Sequence, residues 1–392
     1  MADQTGIEWC DSTHNEWIGC TRVSPACDHC YAAVSTPART HGIEWGAGKP
    51  RTRTKIANRM RPRRWNRKTF FQCDDCRWRG DNPASEQCES TDDPVCPKCA
   101  GTVSEARRRV FCSSLSDWLD NEVPIEWLVD LLDTIRVTPS LDWLLLTKRI
   151  GNWRQRIHAS LAYIEQSRTG DTANALRCFA ISKWLHDWLE GNAPANVQLG
   201  ITVINQPEVD RDVGRLLAVP ARIHFLSVEP MLGPIELPWA FPDIRTSCCH
   251  VCGFRTNAVG GLCPNDGHAL RGDIGINWII CGGESGYSAR PMHLDWVKSL
   301  RDQCVAAGVP FLFKQWGEWL PSDEFTPELN AEDGNWPHHG NSKWPYLDYH
   351  DGDQEWREWP APGEESVWRV GKKRAGRRLD GRTWDQYPEV PA

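Results

Sequence analysis

The sequence predicts an α/β fold, either a (β/α) barrel or an open parallel sheet, on three observations. Six short, nearly continuous apolar runs recur along the chain, helical stretches lie between them, and the runs end in polar or glycine residues. Continuous apolar strands suit a parallel sheet covered on both faces, and alternation with helices is the pattern of wound α/β domains. In either arrangement chemistry gathers at the carboxyl ends of the strands.

In chain order the runs are Arg109–Ser113, Asp142–Thr147, Val197–Val203, Arg222–Val228, Ile276–Cys281 and Val309–Lys314. One helix is expected over Pro124–Ile135, opening on proline. Another is expected over Leu294–Ala307, where Leu294, Val297, Leu300 and Cys304 share a face. The strand ends carry Ser114, Ser116 and Asp117; Thr147, Lys148 and Arg149; Thr202; Ser227 and Glu229; Gly282, Gly283, Glu284 and Ser285; then Lys314 and Gln315. Singly each reads as a cap or surface ion pair, but together they read as the lining of a pocket. The Gly282–Gly286 turn either lets backbone amides approach a ligand or is a plain tight turn.

The chain has 392 residues, 25% of them charged, and a formal net charge of −7, so it is expected to be soluble and not basic overall. No run approaches the ~18 apolar residues of a membrane helix. Met1-Ala-Asp-Gln-Thr-Gly6 lacks the basic and apolar regions of a signal peptide. A cytoplasmic chain with no membrane partner is therefore expected. Its 17 cysteines, several in CxxC pairs, then point to metals rather than disulfides.

Three cysteine groups stand out. Cys20, Cys27 and Cys30 are spaced C-x6-C-x2-C in one proline-containing loop. Three thiolates there can hold a [4Fe–4S] cube with one iron open to chelate S-adenosylmethionine, whose reductive cleavage starts radical chemistry. The competing assignment is a zinc knuckle completed by Cys10, His14 or His29. Cys73, Cys76, Cys96 and Cys99 have the spacing of a zinc ribbon, with Cys88 between the pairs. Cys249, Cys252 and Cys263, with His268 or Asp266, look like a second. Both ribbons also fit purely structural staples. Between Lys49 and Lys68 lie ten Lys or Arg residues and no acid. That run reads as a phosphate-contacting surface or as a solvated loop. A second basic cluster spans residues 371–378, after an acidic, Trp-rich and irregular-looking stretch.

Gly6-Ile-Glu-Trp9, the Cys20/Cys27/Cys30-Tyr31-Ala32 loop, Ser114-Leu-Ser-Asp117, Leu146-Thr-Lys-Arg149 and Ser227-Val-Glu-Pro230 form a distinctive series. It continues through Gly282-Gly-Glu-Ser-Gly286, Phe313-Lys-Gln-Trp-Gly317, Gly371-Lys-Lys and Leu379-Asp-Gly381. The series resembles the phage-associated three-cysteine-motif family of radical-SAM-like proteins, over most of residues 1–320 plus the tail. The resemblance implies a partial (β/α) barrel of radical SAM type with a cluster under its mouth. Two zinc-ribbon lobes would be inserted in it, with an irregular C-terminal extension. The expected parts are 1–72 (cluster-binding), 73–104 (first ribbon), 105–240 (barrel), 241–272 (second ribbon), 273–320 (barrel end) and 321–392 (extension).

The adenosylmethionine-binding GGE of radical SAM enzymes usually follows the second strand, whereas Gly282–Glu284 comes late. By position the second-strand end is Ser114–Asp117. Ser114, Ser116 and Asp117, with Thr147 and Thr202, are therefore assigned to S-adenosylmethionine. Lys148, Glu229, Glu284, Lys314 and Gln315 are assigned to the substrate. The expected activity is radical modification or isomerisation of a nucleic-acid base, in DNA rather than RNA, with a [4Fe–4S] cluster, S-adenosylmethionine, two Zn2+ and an external electron donor. For a phage-encoded chain the compartment is the host cytoplasm. The alternatives are a base-damage lyase of the spore-photoproduct type and a non-catalytic zinc and nucleic-acid-binding protein.

Overall fold

A computed structural model describes residues 3–40, 42–85, 94–168, 171–237, 247–248, 255–256, 265, 271–272, 275–325, 345–350, 355–357 and 365–388. It is a mixed α/β chain built on a seven-stranded sheet, curled as a half-barrel. In chain order the strands are β1 (Ser12–His14), β2 (Arg108–Cys112), β3 (Leu141–Thr147), β4 (Val197–Thr202), β5 (Ile223–Val228), β6 (Trp278–Gly282) and β7 (Phe311–Gln315). Their order in the sheet is the same as in the chain. β1 and β3 both pair parallel to β2, and β6 pairs parallel to β5 and to β7. Trp143 and Ser12 both register on Val110, and Phe225 registers on Trp278.

All six strands read from the sequence are present, close to their expected bounds. Every residue of β4, β5 and β6 is buried, which is why these strands read as unbroken apolar runs. β1 was not legible in that way. Its sequence is Ser-Thr-His, and it is buried because it lies against β2, not because it is apolar.

The chain divides into two compact units. The first comprises Met1–Thr21, Ala32–Leu199 and Pro220–Arg222, and the second Arg22–Tyr31, Gly200–Val219 and Ile223–Ala392. In the first unit three helices, α1 (Ile125–Arg136), α2 (Trp153–Gln166) and α3 (Thr172–Leu189), flank the sheet. α1 starts after Pro124 as expected and buries Leu128, Leu131, Leu132 and Ile135, one stripe at helical spacing. In the second unit α4 (Gln206–Leu217) begins where the Asn205 side chain accepts from the Glu208 N–H at 3.2 Å. α5 (Leu294–Ala307) matches its expected span and stops at Gly308, whose φ of 66° is left-handed.

The C-terminal extension departs from the irregular stretch expected. Leu320–Pro321, Tyr346–His350, Glu355–Arg357 and Glu365–Trp368 form a four-stranded antiparallel sheet. Aromatic and β-branched residues such as Tyr349, Trp356, Val367 and Trp368 supply the β-forming surface that the surrounding Asp, Glu and Pro obscured. The chain then returns beside β7, where the Phe313 N–H donates to Trp384 O at 2.9 Å. No helix among the described residues is long and apolar enough to cross a membrane.

Candidate functional site

In the second unit, the segment holding Cys27 and Cys30 is fastened by buried charge on both sides. Ser24 caps the short turn Pro25–Cys27, and its hydroxyl donates to Glu208 Oε1 at 2.6 Å. Glu208, on the first turn of α4, also accepts the Ile204 N–H at 3.2 Å. The two residues between the cysteines are engaged as well. His29 Nδ1 lies 3.1 Å from Glu284 Oε2, and Asp28 Oδ2 lies 3.4 Å from Arg290 Nη1. Arg290 closes the chain by binding both oxygens of Glu284 and the Pro25 carbonyl, the last at 3.0 Å. Burial raises the pKa of Glu284, but the donors of Arg290 and His29 outweigh it and hold the carboxylate below its ordinary value.

Glu284 therefore spends its oxygens on the cysteine loop, and it is buried. Arg290 was not singled out in the sequence. The signal available was chemical: a carboxylate in an apolar strand-end turn needs a cation close by.

The glycines of the Gly282–Gly286 turn serve backbone packing. A Cβ on Gly283 would sit 1.9 Å from Trp316 O, and one on Gly317 would sit 2.0 Å from Glu284 O. The two strand-end loops cross at this point, with the Gly283 N–H donating to Gln315 O at 2.8 Å. The group that approaches these glycines is the backbone of the neighbouring loop.

Three predicted residues lie at that crossing, two of them in contact. Lys314 Nζ is 2.8 Å from Glu229 Oε1, and Ser227 Oγ donates to Glu229 Oε2 at 3.0 Å. Gln315 Nε2 donates to Ser285 Oγ at 2.8 Å, while its Oε1 is buried with no hydrogen-bond partner among the described residues. An acid, a base and an amide with a spare acceptor thus share the ends of β5 and β7. Thr202, at the end of β4, is buried.

In the first unit, Asp117 ties two strand ends together. Its Oδ1 accepts from Thr147 Oγ1 at 2.7 Å and its Oδ2 from the Lys148 N–H at 2.9 Å. Thr147 in turn accepts the Arg149 N–H at 2.9 Å. That arrangement points Arg149 at the first cysteine, where Nη2 donates to Cys20 Sγ at 3.5 Å and to Thr21 O at 2.5 Å. Ser114 accepts from the Asn15 amide at 2.9 Å. Ser116 Oγ is buried and without a hydrogen-bond partner among the described residues.

Cys20, Cys27 and Cys30 are partly buried. Among the described residues, the cysteines gathered closely enough to ligate a single metal ion are Cys73, Cys76, Cys96 and Cys99, with ligand atoms all within 4.8 Å of one another. Cys249, Cys252, Cys263 and His268 lie outside the described residues. Cys88 does too.

The basic run splits in two. Arg51 is buried against Asp120 at 2.7 Å, Arg53 and Arg59 pair with Glu16, and Arg63 lies 3.7 Å from Asp133. Lys49 pairs with Glu44 and Lys68 with Asp81. Lys55, Arg64 and Arg67 remain exposed. Four of the ten cations thus pair with buried or half-buried carboxylates of the fold and Lys49 and Lys68 form exposed pairs, a division that sequence alone did not show.

A family model described as a protein of unknown function, DUF5131, matches residues 4–388. The chain belongs to the DUF5131 family. No curated protein and no solved structure matches this DUF5131 chain.

Proposed function

We propose that this chain is a radical S-adenosylmethionine enzyme that modifies a nucleic-acid base, in DNA rather than RNA. The observation that carries the reading is topological. The three-cysteine segment lies between β1, the end strand of the parallel sheet, and β2, after a short strand (Trp17–Ile18), and its middle is fixed by ion pairs centred on the buried Glu284. Chemistry belongs at that end of such a sheet.

The donor set fits an iron–sulfur cluster. Three cysteines lie on one segment, and a guanidinium N–H donates to one sulfur. Hydrogen bonds to sulfur are one of the levers by which a protein sets a cluster's potential. A cluster held by Cys20, Cys27 and Cys30 would supply the electron that cleaves S-adenosylmethionine and so make unactivated carbon reactive. Ser116 Oγ, buried and unpaired among the described residues, suits a polar group of the cofactor. Asp117, Thr147 and Ser114 shape that strand end through their hydrogen bonds. The Lys314–Glu229 ion pair at 2.8 Å, and separately the spare acceptor of Gln315, suit a polar base edge.

Anaerobic reconstitution of the full chain tests the reading. The wild type should take up iron and sulfide, turn brown, and release 5′-deoxyadenosine from S-adenosylmethionine on reduction. Cys30→Ala should do none of these. A colourless protein holding only zinc at this loop would sink the proposal and favour a non-catalytic nucleic-acid-binding protein.

A further inference from the structure

The lobe before β2 carries two copies of one backbone device. Cys73-Asp-Asp-Cys76 is followed by Arg77 at φ 59°, and Cys96-Pro-Lys-Cys99 by Ala100 at φ 59°. In each copy the first cysteine's N–H donates to the carbonyl five residues on, Cys73 to Trp78 O at 2.7 Å and Cys96 to Gly101 O at 2.9 Å. In each copy a backbone N–H also points at the first sulfur, Cys76 N to Cys73 Sγ and Lys98 N to Cys96 Sγ, both at 3.4 Å. Left-handed backbone at non-glycine residues is uncommon. Its repetition one residue after each CxxC shows two turns shaped to present sulfur. The four sulfurs face one another, Cys73 with Cys99 and Cys76 with Cys96 at 3.5 Å.

The same lobe grips the sheet. Arg79 donates to both oxygens of Asp11, at 2.9 and 3.0 Å, and to Arg107 O at 2.6 Å. Asp11 also accepts the Arg109 N–H at 2.7 Å. Arg108 reaches Asp81 at 2.7 Å and lies over the rings of Phe70 and Trp65. These contacts sit at the amino ends of β1 and β2, the face of a parallel sheet that governs stability. β1 is three residues long and polar, and it is held otherwise by its pairing with β2 and by side-chain contacts of Ser12 and His14.

We infer that Cys73, Cys76, Cys96 and Cys99 bind one Zn2+, and that this ion holds Arg79 in place to clamp the amino end of edge strand β1. Four thiolates on two CxxC turns are the closed tetrahedral set that structural zinc takes. A lobe of this size depends on its ion for folding. The site is independent of the cluster proposed above.

Metal analysis of the full chain, purified without added metal, gives the first test. The wild type should hold zinc, and Cys96→Ser should hold one equivalent less. Cys99→Ser, at the exposed sulfur, serves where Cys96→Ser does not fold. Unchanged zinc in the variant, or iron at this site in the wild type, overturns the assignment. Hydrogen exchange tests the clamp. Arg79→Ala should keep its zinc yet exchange at least tenfold faster over residues 11–14, with Phe311–Gln315 unaffected. Equal protection over residues 11–14 in the two proteins would show that the lobe does not hold β1.

Discussion

Arg290 grips Glu284 with a fork: Nη2 lies 2.7 Å from Oε1 and Nε 2.8 Å from Oε2. The backbone N–H of Arg290 adds a third donor at 2.8 Å. A bidentate pair of this kind fixes direction as well as charge, and both of its ends extend to the segment between Cys27 and Cys30 through His29 and Asp28. The loop is thus held by the chain's own side chains.

Replacing Arg290 tests that hold. Arg290→Ala leaves a buried carboxylate without its cation, which costs about 3 kcal/mol, the lower end for a broken buried pair because the guanidinium is partly exposed. Exchange protection over residues 22–31 should fall most. The pH dependence follows from the depressed pKa of Glu284. Stability from this pair is present above the unfolded carboxylate value of 4.5 and is lost as pH falls through the lower folded value. Acid unfolding of the wild type should show that loss, and Arg290→Ala should not. Identical acid limbs would remove the pair from the account.

Gly283 offers a second test, of packing alone. A methyl group there would meet the Trp316 carbonyl at 1.9 Å, so one of the crossing loops must move. Gly283→Ala should lose about 3 kcal/mol by urea unfolding, the upper range for overpacking. Gly214→Ala is the control. It lies within α4 with nothing within 4 Å of a Cβ, and should gain up to about 1 kcal/mol. A tolerated Gly283→Ala would mean that the motif's glycines are not required by this crossing.

Six strands were legible because each is buried on both faces, and burial writes itself as Val, Ile, Leu and Phe. β1 was illegible because three buried polar residues carry no period. The strand-end residues could be named in advance, but their partners could not. Glu284 finds Arg290 six residues on and His29 far earlier in the chain, and nothing local distinguishes a carboxylate that faces a ligand from one that holds a loop. The run from Lys49 to Lys68 shows the same limit. Its charge was evident, while the carboxylates that pair with four of its ten cations (Glu16, Asp120, Asp133) come from distant segments.

His224 gives the protein a second acid sensitivity, at higher pH. Its ring is buried on β5 and Nε2 lies 2.8 Å from Val219 O. Burial lowers its pKa from 6.5 to about 4, against the weaker pull of that carbonyl. The native state therefore keeps it neutral. The associated stability is complete above pH 6.5 and drains away as pH falls towards about 4, to a total of about 3 kcal/mol. Urea midpoints of the wild type should decline over that window, and those of His224→Gln should decline less. Parallel declines would assign the effect to other groups.

The last prediction concerns nucleic acid. Of the ten cations between Lys49 and Lys68, those paired with Glu16, Asp120 and Asp133 are part of the fold, whereas Lys55, Arg64 and Arg67 are exposed. If the substrate is a DNA strand, these three are the residues placed to meet phosphates, and such contacts position the strand without reading it. The triple reversal Lys55→Glu, Arg64→Glu and Arg67→Glu should weaken binding to all DNA sequences alike. It should also flatten the slope of log affinity against log salt by about one per residue. Arg53→Ala should act differently, because it breaks pairs with Glu16 and Asp130 and so lowers stability first. Fluorescence anisotropy across a salt series, beside urea unfolding of each variant, separates the two effects. If the triple variant binds with wild-type affinity and slope, this face does not meet phosphates. If the wild type itself binds neither DNA nor RNA at low salt, the substrate is a free nucleotide or another small molecule.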